Sequence, residues 1–276
     1  MLVSAHLRGG GNLTDIRTTS ISAGISHMCD VRLRGRGDTP EPRTELVIQT
    51  GFNSTPALKW ALDNRIPYII MEGPLFRDMC TSQDNSTFTF NGMQAGGTRP
   101  TKIPEKPRPH PEILPCKALG STIILGQKPN DHSLRGHDHT QWIKEMMDEY
   151  PDAELRHNPI VVPPGSQPPI AEALLGCYRT ISYTSTAAVD SVFAGCKTIC
   201  KHPASEAYDH GNREEWAHRL SWYNFTHEEL QTHDIASFIM SGYSQAWEDA
   251  REGRQETPRA KVEKDPMIAR YIAEFS

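Results

Sequence analysis

Apolar runs alternate with turn residues along the chain, and their spacing predicts strand–helix–strand units in two blocks. In the first block, "TELVIQTG" (44–51) and "IPYIIMEGP" (66–74) read as buried strands. They flank a helix over "STPALKWALDN" (54–64), with Ser54 as its cap and Pro56 in its first turn. The second block opens with a strand "STIILGQ" (121–127), followed by a helix "HTQWIKEMMDEY" (139–150) and a strand "AELRHNP" (153–159). A helix "PPIAEALLGC" (168–177) leads into "TISYTSTAAVDSVFAGCKTICKHP" (180–203), which reads as strand, hydroxyl-rich loop, small-residue helix and strand. The remainder is helical in pattern: "NREEWAHRLSWYNF" (212–225), "THEELQT" with Thr226 and Glu229 as a capping box, "DIASFIMSGYSQAWEDA" (234–250) and "DPMIARYIAEFS" (265–276).

Between the blocks, "TRPTKIPEKPRPHPEILP" (98–115) holds six prolines among basic residues and predicts an extended connector. The expected organisation is an α/β chain of two Rossmann-like halves facing a cleft, with C-terminal helices. Its domains are 1–98, a connector over 99–117, a second half over 118–245, and a helical tail over 246–276.

Composition changes this picture little. The 276 residues carry 23% charged and 37% hydrophobic side chains and a net charge of −5, as in soluble globular proteins. No apolar run is long enough to span a membrane, and the start lacks the apolar core of a signal peptide, so a cytoplasmic location and no membrane partner are expected. The six cysteines are scattered without a CxxC pair, which favours free thiols over a disulfide framework or a zinc site. Charge is uneven: residues 1–128 have 15 Lys and Arg against 11 Asp and Glu, and the rest has 14 against 23. A basic first half suits a polyanion.

The candidate chemistry gathers where parallel strands end, since open α/β sheets bind ligands at their carboxyl edge. One strand end delivers Gln127, Lys128, Asp131 and Ser133, the next Arg156 and His157, and the hydroxyl loop Thr184, Ser185 and Thr186. Cations and hydroxyls around a helix start make a diphosphate-binding set. "HDH" (137–139) is read as a helix start and not as metal ligands. No Gly-x-x-x-x-Gly-Lys-Ser/Thr occurs, which excludes a P-loop kinase.

The succession "LGQKPNDHSLRGHDHTQW", "LRHNP", "TSTAAVDSVFAGCKTI" and "REEWAHRLSWYNFTHEEL" resembles the nucleotide-binding half of GT-B glycosyltransferases, phage-encoded ones in particular. More loosely, it is similar to capsule and teichoic-acid transferases, with their Arg-x-His-Pro strand end. Here the strand end reads Arg156-His157-Asn158-Pro159, which turns the imidazole to the other face, so Arg156 carries over better than His157. The resemblance implies a nucleotide-diphosphate sugar donor, a UDP-sugar first of all, with no tightly bound cofactor and no metal. Arg156 would pair with the diphosphate, Ser185 and Thr186 would hold a phosphate, His202 would lie near the nucleotide or sugar, and Glu206 would take the ribose hydroxyls. Asp190 would be a helix residue facing the neighbouring strand.

The acceptor and the catalytic base would come from the first half, where Glu72 and Asp15 are the leading base candidates and His6 and His27 the others. Gly9, Gly10 and Gly11 would let backbone approach the acceptor, and Phe52, Phe76 and Phe90 could stack on a flipped base. Phage likeness and basic segments such as "VRLRGRG" (31–37) suggest hydroxymethylated pyrimidine in DNA as acceptor, in the host cytoplasm if phage-encoded. The alternatives are a surface glycan or lipid-linked acceptor, and a non-catalytic nucleotide- or DNA-binding module.

Overall fold

In the computed structural model of the chain, residues 1–9, 13–76, 85–258 and 264–275 are described, without the side chains of 264–267. The chain begins β1 (Leu2–Leu7), α1 (Leu13–Ile25), β2 (Asp30–Gly35), β3 (Leu46–Thr50), α2 (Pro56–Asp63), β4 (Tyr68–Glu72) and β5 (Asn85–Phe90). After the proline-rich stretch come β6 (Ser121–Leu125), α3 (His139–Glu149), β7 (Glu154–Arg156), α4 (Ile170–Leu175), β8 (Cys177–Ser182), α5 (Ala187–Phe193) and β9 (Lys197–Cys200). It ends with α6 (Arg213–Ser221), β10 (Asn224–Thr226), α7 (His233–Met240), α8 (Tyr243–Arg251) and α9 (Lys264–Phe275).

These elements form two units. Met1–His110 groups with His218–Pro258, and Pro111–Ala217 groups with the described part of Arg259–Ser276. The first unit holds a six-stranded sheet of order β10-β5-β4-β3-β1-β2, the second a four-stranded sheet of order β7-β6-β8-β9. The second sheet is parallel throughout, and in the first the four strands β1 to β4 are parallel, β5 pairs antiparallel with β4, and β10 pairs antiparallel with β5. The fold is α/β with C-terminal helices, as the alternating pattern implies.

The units cut across the boundaries read from sequence. "WYNF" continues the helical pattern of α6, yet Phe225 is fully buried as the middle residue of β10, paired with β5. A long-range strand pair overrides the local helical signal, and this ties 218–258 to the first sheet. The tail goes the other way. Tyr271 of α9, 1% exposed, packs with Trp142, Ile143 and Ile124 in the core of the second unit.

Caps and turns set the element ends. Thr55, not Ser54, caps α2, its Oγ1 accepting from the Leu58 amide at 3.1 Å, with Pro56 next. The Thr226–Glu229 capping box forms with both bonds, 2.8 and 3.0 Å, though it starts a single 3-10 turn. The predicted long helix over 234–250 divides at Ser241–Gly242, where a Cβ on Gly242 would lie 3.2 Å from Pro100.

The connector contains no helix or strand but is well anchored within each unit. Arg108 bonds Glu229 at 2.9 Å and the Asn224 carbonyl at 3.1 Å, and lies over the rings of Phe225 and Trp222. Arg99 lies 4.6 Å above the Tyr223 ring. Further on, the Leu114 and Lys117 amides donate to the Phe193 and Gly195 carbonyls.

Candidate functional site

In the second unit β6 lies between β7 and β8, so the chain leaves β6 toward one side of the sheet and later continues on the other. The loops that follow β6 and β8 diverge at this switch point, and the crevice they leave at the carboxyl edge is where open α/β sheets bind ligands.

Gln127 bridges that crevice. Its Nε2 donates to Ser133 Oγ at 2.9 Å and to Thr184 Oγ1 at 3.0 Å, and its Oε1 accepts from the Thr184 amide at 2.8 Å. Thr184 Oγ1 in turn donates to the Ser133 carbonyl at 3.0 Å. Gln127, Ser133 and Thr184 are buried. Sequence reasoning placed these three on the donor, but their polar atoms bond one another, because clustered hydroxyls and an amide that are buried together satisfy each other. They hold the loops. Asp131 has a similar part, its Oδ1 accepting from the Ser133 amide at 2.9 Å.

His139 fixes the same loop from behind. The Gln127 amide donates to its Nε2 at 2.7 Å, which puts the imidazole proton on Nδ1. The ring stacks with Trp142 and Tyr271 and is 1% exposed. Burial pushes its pKa down to about 4. Asp138 caps α3, as "HDH" suggests, accepting from the Gln141 amide at 3.1 Å.

The depressed His139 pKa has a pH consequence. The unfolded chain, with an ordinary histidine near pH 6.5, binds more protons than the folded one between about 6.5 and 4. Stability is therefore fully present above about pH 6.5 and is lost as pH falls toward 4. Denaturant unfolding across that window is expected to show a loss of about 2–3 kcal/mol that His139→Gln flattens.

Around this bolted centre the accessible edge carries the charge. Arg156 is half-buried and its Nη2 donates to the Pro168 carbonyl at 2.7 Å. Its backbone lies against Gly126, where a Cβ would stand 3.0 Å from both the Arg156 carbonyl and the Tyr271 hydroxyl. His157 turns to Tyr271, its Nδ1 3.1 Å from the hydroxyl, and burial lowers its pKa. Lys128, Ser185 and Thr186 are half-buried, and Ser185 Oγ accepts from the Ala187 amide at 3.3 Å. His202 is half-buried against Tyr183, with ring centres 5.1 Å apart, while His137 stacks on Tyr183 at 4.9 Å and 11°. Sequence reasoning missed Tyr183 and His137, although an aromatic closing a strand beside a hydroxyl loop was there to see. Glu206, placed on a ribose from sequence, is 7% exposed. Asp190 is buried in α5.

The first unit has its own switch point, since β1 lies between β3 and β2. Asp15, near the start of α1, accepts from the Arg8 and Gly9 amides through Oδ1, at 2.6 and 3.2 Å. That leaves Oδ2 without a hydrogen bond to the described residues. Gly9 has φ +87°, the left-handed turn a glycine permits. Gly10 and Gly11 lie outside the described residues. Glu72 ends β4, where its Oε2 accepts from the Gln94 amide at 3.4 Å and its charge acts on buried Arg17. His6 is buried, its Nδ1 3.2 Å from the Gly35 carbonyl and its Nε2 2.8 Å from Ser4 Oγ; burial lowers its pKa. His27 is exposed beside His233. A cavity of about 20 Å³ opens here, lined by His6, Arg8, Arg36 and Gln49, with Thr50 and neighbouring loop residues.

The three phenylalanines foreseen for a flipped base are buried and do not present their rings at this edge. Phe52 stacks on Tyr68 in the core, and Phe52, Phe76 and Phe90 are 6%, 2% and 0% exposed. They are apolar residues on strands and turns that the sheet needs for its own burial. Among the described residues, no group of three or more His, Cys, Asp and Glu is placed to hold a metal ion, no cysteine is paired, and no helix is long and apolar enough to cross a membrane.

No family model and no curated protein matches the chain. Among solved structures it is similar to two of Thermosulfurimonas dismutans KpsC. One is a beta Kdo 2,4 transferase, 14% identical, with 88% of this chain and 90% of that one covered and a TM-score of 0.48. The other is a beta Kdo 2,7 transferase, 10% identical, with 85% and 98% covered and a TM-score of 0.49.

Proposed function

We propose that the chain is a glycosyltransferase that moves a sugar from a nucleoside-diphosphate donor to a hydroxyl. The observation that carries this reading is the switch point of the all-parallel sheet. There Lys128, Arg156, Ser185 and Thr186 line the edge beside the Tyr183–His202 pair, on loops pinned by Gln127. The two cations and the hydroxyls suit a diphosphate. The resemblance of the same segments to nucleotide-binding halves of GT-B enzymes supports it.

In this reading the second unit binds the donor. The first supplies the acceptor side and the base, for which Asp15 is better suited than Glu72. Asp15 Oδ2 removes the proton from the acceptor hydroxyl, the hydroxyl oxygen bonds to the anomeric carbon, and the bond to the diphosphate breaks. The departing diphosphate takes the electron pair, and Arg156 and Lys128 meet its charge.

A glycan or lipid-linked hydroxyl suits the acceptor better than DNA. The stacking phenylalanines are in the core, Arg99 and Arg108 pack against aromatic rings, and Arg32 and Arg34 pair with Asp30 and Glu41. The test is incubation with UDP-, GDP- and CMP-sugars, each offered with oligosaccharide acceptors and with hydroxymethylcytosine DNA, followed by mass analysis. A sugar mass added to an oligosaccharide is the expected result; addition to the DNA alone overturns the acceptor assignment.

A further inference from the structure

The switch point of the first unit carries a charge arrangement that the transfer reaction does not itself require. β1 and β2 pair in parallel with Leu7 opposite Gly35, so the next residues, Arg8 and Arg36, emerge side by side at the carboxyl edge. Adjacent parallel strands set such neighbours on the order of 5 Å apart. Both are exposed and line the cavity. Neither guanidinium has a carboxylate partner among the described residues, whereas Arg32 and Arg34 on the same strand are paired with Asp30 and Glu41.

The two acids beside this pair bond backbone amides and form no ion pair with either guanidinium among the described residues. Asp15 bonds the Arg8 and Gly9 amides, and Asp38 bonds the Gly35 amide at 2.8 Å. The floor of the cavity is neutral and internally bonded. Gln49 Nε2 donates to the Gly51 carbonyl and its Oε1 accepts from Thr55, while Thr50 Oγ1 donates to the Thr14 carbonyl. His6 bonds through both ring nitrogens, and burial lowers its pKa. Two like charges held together over a neutral floor repel, and an oxyanion between them reverses the sign of that interaction. The cavity that these residues line is small, about 20 Å³.

We infer that Arg8 and Arg36 form an oxyanion site that grips a carboxylate or phosphate carried by the acceptor. As an assignment to the acceptor, this rests on the glycosyltransferase reading; as an anion site, it stands alone. An acidic substituent docked there would orient the acceptor beside Asp15, whose carboxylate holds the turn from which Arg8 springs.

The test titrates the full chain with inorganic phosphate, glucose 6-phosphate, glucuronate and glucose, following backbone amide resonances, with UDP titrated in parallel. The expected result is saturable binding of the anionic probes but not of glucose, at amides around Arg8 and Arg36. Binding should weaken about tenfold or more in R8Q/R36Q, while UDP affinity is unchanged. Whether phosphate or glucuronate binds more tightly tells which oxyanion the site prefers. Equal binding of glucose, or anion binding untouched by R8Q/R36Q, overturns the site. Retention of anion binding in a chain that binds no nucleotide would sink the transferase reading and leave the site standing. Loss of anion binding with sugar transfer intact would do the reverse. Circular dichroism of R8Q/R36Q checks that both exposed substitutions leave the fold in place.

Discussion

Asp15→Asn is expected to lower sugar transfer by about two to four orders of magnitude without weakening donor binding. The substitution keeps a carbonyl-type oxygen for the Arg8 and Gly9 amides, which bond Asp15 Oδ1, so the turn after β1 stays closed. It removes the basic oxygen. Glu72→Gln is the companion variant, and its effect should be much smaller, because Glu72 lies beside buried Arg17 and takes the Gln94 amide. Single-turnover rates for both variants, set against nucleotide affinities by calorimetry, separate the two carboxylates. An unimpaired Asp15→Asn enzyme moves the base elsewhere.

Gln127→Ala is expected to destabilise the second unit by about 2–4 kcal/mol. The alanine deletes three hydrogen bonds at once, to Ser133 Oγ, Thr184 Oγ1 and the Thr184 amide, and leaves those groups buried without their partner. Such orphaned groups cost more than the bond itself contributes. Because Gln127 ties the β6 loop to the β8 loop across the switch point, nucleotide affinity should fall as well. Lys128→Ala, next door on a half-buried side chain, should leave stability within about 0.5 kcal/mol. Urea unfolding followed by tryptophan fluorescence, with Trp142 in the same core, reads both. Equal stability of the two variants would mean the bridge contributes little.

The second sheet was legible in the sequence because β6 holds a short apolar run, β8 and β9 are rich in Thr and Ile, and the turns between them carry hydroxyls, Gly and Pro. The first was less so. β1 buries Ser4 and His6, which bond each other, and thereby hides its apolar face. α1 is rich in Thr and Ser, which usually argue against a helix. Here Thr18 and Ser22 return their hydroxyls to the carbonyls one turn back, at 3.3 and 2.6 Å. β10 exists only through its pairing with β5 and carries no local signal.

The candidate site divides along the same physical line. Residue types at strand ends showed that Gln127, Ser133, Thr184, Arg156 and Lys128 gather at one edge. Direction did not show. Whether an amide and two hydroxyls point to a ligand or to each other depends on the depth of the crevice, which only the packing reveals. That His137 stacks on Tyr183 and His202 tilts against it did not show either, since the three residues lie on separate loops.

The central claim is that the carboxyl edge of the four-stranded sheet binds a nucleotide. Calorimetric titration of UDP, GDP and CMP into the full chain and into Arg156→Ala tests it most directly. The account predicts saturable binding of at least one nucleotide to the wild type, weakened about tenfold or more in the variant, since the proposed function pairs Arg156 with the phosphates. No binding of any of the three, or binding indifferent to Arg156, would contradict it.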